Sequence, residues 1–86
     1  MNGECRLCGK HGIMERHHVF GGVYRKTSDR IEGCVVNLCP ECHRHIHSSK
    51  GWEDKQQLQC DIQYEVMDAN GWTVRDWLKL WGKSWI

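Results

Sequence analysis

Two matched cysteine pairs constrain what this chain of 86 residues can fold into. Cys5 and Cys8 form one Cys-x2-Cys turn, and Cys39 and Cys42 form a second one about 30 residues later. Each turn offers two thiolates from one side, and two such turns complete the four-sulfur tetrahedron that Zn²⁺ prefers. A chain this short buries only a limited core, so a metal is an expected means of stabilisation. The sequence therefore predicts a closed, structural Zn²⁺ site.

The other two cysteines, Cys34 and Cys60, have no partner in this scheme, and we expect them to be small buried apolar side chains. Residues 1–4 lack the apolar stretch of a signal peptide, and no segment approaches the roughly 20 apolar residues of a membrane span. These observations predict no membrane association and a reducing cytoplasm, where paired cysteines favour metal over disulfides.

The pattern of apolar residues predicts an α+β fold. Residues 16–20 and 33–38 are short runs rich in β-branched or aromatic residues, separated by a polar, glycine-bounded stretch at 21–32. This pattern is typical of a β-hairpin with a long loop. Pro40 then fits the first turn of a helix, where its missing N–H costs nothing, and we expect that helix to run to about Ser48.

Two further helices are predicted in residues 51–86, which we expect to pack on residues 1–50 within a single domain. The first covers 52–69, stops at Asn70-Gly71 and places four apolar side chains at near-helical spacing: Leu58, Ile62, Val66 and Ala69. Thr73 and Asp76 form an approximate capping box for a short last helix, with one face made of Trp77, Leu80 and Trp81. Most of the five tryptophans are expected to be core that covers the hairpin and the cysteine turns, rather than a partner surface.

The histidines predict a second metal site. His43 and His47 are four residues apart on a predicted helix, so they lie on one face and can chelate a single ion. This pair directly follows the second cysteine pair, on a helix whose start zinc would fix, which favours a site over a solvated helix face. His17 and His18 are neighbours on a predicted strand, and they point to opposite sides unless a twist or bulge brings them into one cleft.

The order of these motifs resembles the HNH (His-Me finger) endonuclease family over residues 4–48. The runs His-His-Val-Phe-Gly-Gly at 17–22, Leu-Cys-Pro-Glu-Cys-His at 38–43 and Gly-Trp-Thr at 71–73 are similar to small phage and prophage HNH proteins. The resemblance implies a small zinc-stapled ββα-metal module of the α+β class in residues 1–50, followed by C-terminal helices.

The resemblance also implies roles for the histidines. The second residue of the paired motif, His18, is the general base that activates water, and His17 before it binds the catalytic metal. His43 is the second ligand, and His47 matches a ligand that some relatives add one helical turn later. Phosphodiester cleavage needs a deprotonated water near neutral pH and a cation to neutralise developing charge, which suits imidazole beside a metal.

The middle asparagine of the family departs from its usual position, which Cys34 occupies here. Asn37 is the candidate for that catalytic role, but an odd offset puts it on the other strand face, so it would orient His18 only through a bulge. The catalytic ion is expected to be Zn²⁺, Ni²⁺ or Mn²⁺, which imidazole suits. Mg²⁺ also stays open, because water and the substrate phosphate can replace a missing carboxylate ligand.

The uneven charge favours a polyanion near the N-terminal half. The chain has a formal net charge of +1, but residues 1–50 hold eight Lys/Arg and five Asp/Glu, whereas residues 51–86 hold four and six. We expect phosphate contacts, which give affinity without sequence readout, from five side chains around the histidines: Arg16, Arg25, Lys26, Arg30 and Arg44.

Three functions stay open on the sequence. The first is an endonuclease that nicks or cuts DNA in the cytoplasm of a bacterial host. The resemblance leaves room for a phage packaging or replication protein as its partner, and for either a monomer or an oligomer. The second is a catalytically inactive zinc-binding adaptor for DNA or protein. The third is a purely structural module with two zinc ions.

Overall fold

The computed structural model describes residues 2–86, which begin with a hairpin that carries the first cysteine pair. Strands β1 (Asn2–Glu4) and β2 (His11–Ile13) pair antiparallel, and the turn between them holds Cys5 and Cys8. Gly9 has a φ of +76°, a left-handed conformation that favours glycine, and its amide donates to the Cys5 carbonyl at 2.9 Å. The predicted tight turn is confirmed. Its flanking strands are too short to leave an alternating pattern in the sequence.

The second sheet carries the paired histidines. Strand β3 (Glu15–His18) pairs antiparallel with β4 (Val35–Leu38), so the predicted hairpin is confirmed with shorter strands. Val19 and Phe20 leave β3 and turn into the core, where they are 1% and 0% exposed.

The connection between β3 and β4 is more structured than the predicted loop over 21–32. It contains a 3-10 turn at Gly22–Tyr24 and a short helix α1 at Arg25–Arg30. Ser28 anchors this helix, because its buried Oγ donates to the Phe20 carbonyl at 2.7 Å. A polar run without apolar periodicity gives no helix signal, so the sequence did not predict α1.

Helix α2 (Pro40–His47) begins with Pro40 in its first turn, as predicted, and ends one residue before the predicted Ser48. Cys39 is its N-cap, and the Cys39 Sγ accepts a hydrogen bond from the Cys42 amide at 3.5 Å. The buried face of α2 is Ile46, which is 1% exposed. Its start is therefore tied to the cysteine pair and its middle to the core.

A 3-10 turn at Ser49–Gly51 joins α2 to the next helix and packs Gly51 against the end of α2. A Cβ built on Gly51 would overlap the His45 carbonyl oxygen and lie 2.6 Å from the carbonyl carbon. A side chain could not avoid this overlap by changing its rotamer, because both atoms are backbone. Space, rather than an unusual φ, requires glycine here.

Replacing Gly51 with alanine is expected to lower the free energy of unfolding by about 1–3 kcal/mol, the range for overpacking. For a domain of this size that corresponds to a fall in Tm of roughly 5–20 °C, measurable by thermal denaturation followed by circular dichroism. Gly21→Ala is the matched control, because Gly21 has a φ of −90° and an added Cβ there would meet nothing closer than 3.9 Å. Equal Tm values for the two variants would contradict the steric argument.

Helix α3 (Trp52–Asn70) is the longest element and matches the helix predicted over 52–69. It buries three of the four predicted apolar side chains, Leu58, Ile62 and Val66, whereas Ala69 near its end is exposed. The helix stops at Gly71, whose φ of +66° is the left-handed cap that the Asn-Gly signal predicts.

Helix α4 (Val74–Trp81) starts at the predicted capping box. The Asp76 carboxylate accepts from the Thr73 amide at 2.9 Å, and the Thr73 hydroxyl accepts from the Asp76 amide at 3.3 Å. Trp77 and Trp81 are buried as predicted. Leu80, which was predicted on the same helix face, is 50% exposed.

Phe20 is the centre of an aromatic core. Its ring centroid lies 5.5, 4.9 and 4.4 Å from those of Trp77, Trp81 and Trp85. These tryptophans cover the end of the β3–β4 hairpin, which confirms their assignment to the core. Trp52 is the exception, since it is 55% exposed.

The tail after α4 folds back onto α3. The buried Gln63 accepts a hydrogen bond from the Trp85 amide at 2.6 Å and donates to the Ser84 hydroxyl at 3.0 Å. Two small antiparallel sheets and four helices thus make the α+β fold that the sequence predicts. No helix in residues 2–86 has both the length and the apolar character to cross a membrane.

Candidate metal centres and the histidine cleft

The four cysteines of the two pairs converge on one point. Their Sγ atoms all lie within 4.8 Å of one another: Cys5, Cys8, Cys39 and Cys42. The 3.8 Å between Cys8 Sγ and Cys39 Sγ matches the edge of about 3.8 Å expected for a tetrahedron with Zn–S bonds of about 2.3 Å. The cluster can therefore hold a structural metal such as zinc.

The thiols of this cluster favour a bound cation. Burial would raise the pKa of Cys5, but hydrogen bonds from the backbone of Cys39, Cys8 and Leu7 outweigh it and lower that pKa to about 6. Burial raises the pKa of Cys42, and the neighbouring thiols raise it further. One of the four thiols loses its proton readily. Further thiolates in the same small volume repel one another, so they require a cation to stabilise them.

The two remaining cysteines lie outside this cluster. Cys34 is 0% exposed, and burial raises its pKa to about 12, so it is an inert buried thiol as predicted. Cys60 lies on α3 and is only half-buried, which is less than predicted.

Three histidines form a second cluster. His17 from β3 and His43 and His47 from α2 each place one ring nitrogen within 4.8 Å of the others. Their ring centroids are 4.9 to 5.3 Å apart. The i, i+4 spacing puts two rings on one face of α2, and the adjacent strand brings the third to it. The structure thus brings together the three residues that the sequence suggests as ligands of one ion.

The His17 ring shows what this cluster lacks. It is 4% exposed, and its Nε2 is buried without a hydrogen-bond partner among residues 2–86. Burial, and then the neighbouring His43 and His47, lowers the pKa of His17 to about 4; burial also lowers the pKa of His47. These rings are therefore neutral near pH 7, which is the form that binds metal. An unpaired buried nitrogen costs about 1–3 kcal/mol, and a divalent cation is a ligand that satisfies it.

Glu15 holds the third ring of the cluster. Its Oε1 lies 2.7 Å from Nδ1 of His43, which leaves Nε2 as the nitrogen free to bind an ion. Carboxylate–imidazole pairs of this kind orient metal-binding histidines and raise their basicity. Glu15 was not among the predicted site residues, although its position two residues before His17 placed it on the same face of the strand.

His18 lies beside the cluster but is not one of its members. Its Nε2 is 2.7 Å from Asp29 Oδ1, and its side chain is 19% exposed. A cleft of about 320 Å³ is lined by His17, His18 and His47, among other residues. The adjacent histidines thus border the same cleft, although the β3–β4 register is regular and contains no bulge.

Asn37 is not brought to His18. Asn37 pairs with Arg16 in the β3–β4 ladder, whereas His18, two positions further along β3, pairs with Val35. The Asn37 side chain lies beside Gly3 of β1, where an added Cβ would be 3.0 Å from the Asn37 Nδ2. The bulge through which Asn37 was expected to orient His18 is absent from the ladder, because every residue of β3 has one partner on β4.

The five basic residues expected to contact phosphate are all exposed: Arg16, Arg25, Lys26, Arg30 and Arg44. Arg30 borders a separate groove with Glu65 and Trp72, away from the histidines. Two lysines that the sequence analysis missed, Lys55 and Lys83, line the histidine cleft instead. Both lysines lie in residues 51–86, which carry a net negative charge. The distribution of charge along the sequence therefore did not indicate a phosphate-binding role for them.

No family model, no curated protein and no solved structure matches this chain. Its function must therefore be inferred from the two clusters and the cleft.

Proposed function

We propose that this chain is a metal-dependent endonuclease of the HNH (His-Me finger) type that hydrolyses phosphodiester bonds of DNA. One observation carries the proposal: a three-histidine cluster has an unpartnered buried nitrogen on His17, and two of its members, His17 and His47, line the same cleft as a fourth histidine, His18. The order β3, β4, α2 supports it, since β3 supplies His17 and His18, β4 pairs with that strand, and α2 supplies His43 and His47.

Each side chain of the cleft has a separate task in this proposal. A divalent cation held by His17, His43 and His47 would polarise the scissile phosphate and stabilise the leaving oxygen. His18 accepts the proton of the attacking water, and Glu15 keeps the ring of His43 in place.

The cysteine cluster supports the histidine site without taking part in the chemistry. Four thiolates close the coordination shell of a zinc ion, so no position is left for water or substrate. Cys39 and Cys42 lie at the start of α2, directly before His43. A metal bound there fixes the beginning of the helix that carries two of the three histidines.

The substrate contacts are electrostatic. Lys55 and Lys83 line the cleft, and Arg16 lies on the β3–β4 ladder that carries His17 and His18. Such contacts bind phosphate and do not read bases, so we expect weak sequence preference. The resemblance to small phage proteins favours DNA as the substrate, a bacterial host cell as the location, and a packaging or replication protein as a further partner.

The test is a nicking assay on supercoiled plasmid with folded, zinc-loaded protein and added Mg²⁺, Mn²⁺, Ni²⁺ or Zn²⁺. We expect conversion to open circles with at least one of these ions, and no conversion when a chelator removes the added ion. No nicking with any of the four would refute the endonuclease and favour a zinc-binding adaptor whose histidines are inactive.

A further inference from the structure

We propose that Asp29 is a positioning residue for His18, which it holds in one orientation and one tautomer; this inference rests on the proposed nuclease function. Asp29 lies on α1, a helix inserted between the two strands of the histidine hairpin. It is not part of any motif that the sequence analysis singled out.

The contact itself determines which nitrogen of His18 can act as a base. Asp29 Oδ1 lies 2.7 Å from His18 Nε2, the separation of a strong, charge-assisted hydrogen bond. An ionised carboxylate can only accept, so in a neutral imidazole at this contact the hydrogen is on Nε2 and the lone pair is on Nδ1. A base must offer a lone pair to water, and Asp29 therefore assigns that role to Nδ1.

Helix α1 is fixed well enough to define this contact. Ser28, next to Asp29 in the chain, is 1% exposed and bonded to the carbonyl of Phe20. Phe20 is in turn 0% exposed at the centre of the aromatic core. The Asp29 carboxylate is 54% exposed on its own, but its backbone is thus connected to the most buried part of the protein.

No other side chain in residues 2–86 makes a hydrogen bond or ion pair with His18. Asn37, which occupies the place nearest to the middle asparagine of the HNH motif, packs beside Gly3 instead. Asp29 therefore supplies the orientation that the motif otherwise takes from asparagine, and it does so from a different element.

The first arm of the test is independent of activity. The ¹⁵N chemical shifts of the His18 ring report its tautomer in zinc-loaded protein at pH 8, where a free imidazole is neutral. We expect wild type to show hydrogen on Nε2 alone. Asp29→Asn should show a mixture, because an amide can either accept from Nε2 or donate to it, and Asp29→Ala should show the tautomer mixture of a free imidazole.

The second arm is kinetic. Asp29→Asn and Asp29→Ala should lower kcat for plasmid nicking about 10- to 100-fold, the loss seen when the partner of a functional imidazole is removed. KM should stay unchanged, because Asp29 does not touch the substrate. Asp68→Asn is the matched control, since Asp68 is an exposed aspartate on α3 and should change neither the tautomer nor kcat.

The outcomes separate this inference from the proposed function. Identical His18 shifts in wild type and both Asp29 variants would overturn the positioning role, and so would an unchanged kcat. If wild type proves unable to cleave DNA, the proposed function fails, and the tautomer comparison alone decides whether Asp29 positions His18.

Discussion

Cys39→Ser is expected to leave the protein without its structural metal and without a cooperative fold. Structural zinc contributes roughly 10–16 kcal/mol in small zinc-binding peptides, which is as large as the whole stability of a typical domain, about 5–15 kcal/mol. Serine is a good helix N-cap, so the variant keeps a capping group on α2 while removing one of four sulfur ligands. A loss of stability in this variant is therefore due to the missing metal ligand and not to a missing helix cap.

Metal content per chain and a thermal denaturation curve measure this effect. Cys60→Ser is the matched control, because Cys60 is a half-buried thiol on α3 that belongs to neither cluster. We expect the control to bind zinc and melt like wild type. A Cys39→Ser protein that still holds zinc and melts at the wild-type temperature would rule out a structural role for the cysteine cluster.

His18→Ala is expected to remove cleavage and leave the fold intact. A positioned general base raises the reaction rate by about 10²- to 10⁴-fold. The nicking rate should therefore fall by about that factor or more. The folded state loses the partly exposed pair with Asp29, and pairs of that kind contribute about 1 kcal/mol or less. Activity and stability should thus separate in this variant.

Nicking rates, zinc content and Tm are measured together on the same preparation. His11→Ala is the control, because His11 is an exposed histidine on β2 with only a 3.7 Å contact to Glu4. It should cleave at the wild-type rate. The catalytic assignment of His18 fails if His18→Ala still nicks plasmid, or if its Tm falls as far as that of Cys39→Ser.

The parts of the fold that follow local rules could be predicted from the sequence. Each Cys-x2-Cys pair brings its own two thiols together through local geometry, and the four-ligand preference of zinc predicts that the two pairs meet. The box of Thr73 with Asp76 and the stop at Gly71 are likewise set within four residues, and both are found where the sequence indicates. The placement of His43 and His47 on one face of α2 also follows a local rule, because any helix brings residues i and i+4 side by side.

Contacts between distant segments could not be predicted. Asp29 meets His18 only because Ser28 docks α1 onto the core, and no spacing in the sequence encodes that. Lys55 reaches the cleft from α3, whose packing against α2 is a tertiary property. Whether β3 and β4 contained the bulge that Asn37 would need to reach His18 also depended on the pairing of the two strands, which has a regular register.

Helix α2 carries ligands of both clusters within its first two turns, with Cys42 next to His43. In the proposed function, a metal bound at the cysteines would pre-organise two of the three histidines and lower the entropic cost of binding the second ion. Thermodynamic linkage makes this assistance mutual, so each ion raises the affinity for the other. We expect zinc starvation to weaken binding at the histidines although none of them is a cysteine-site ligand, so that the protein responds to zinc supply in one step rather than two.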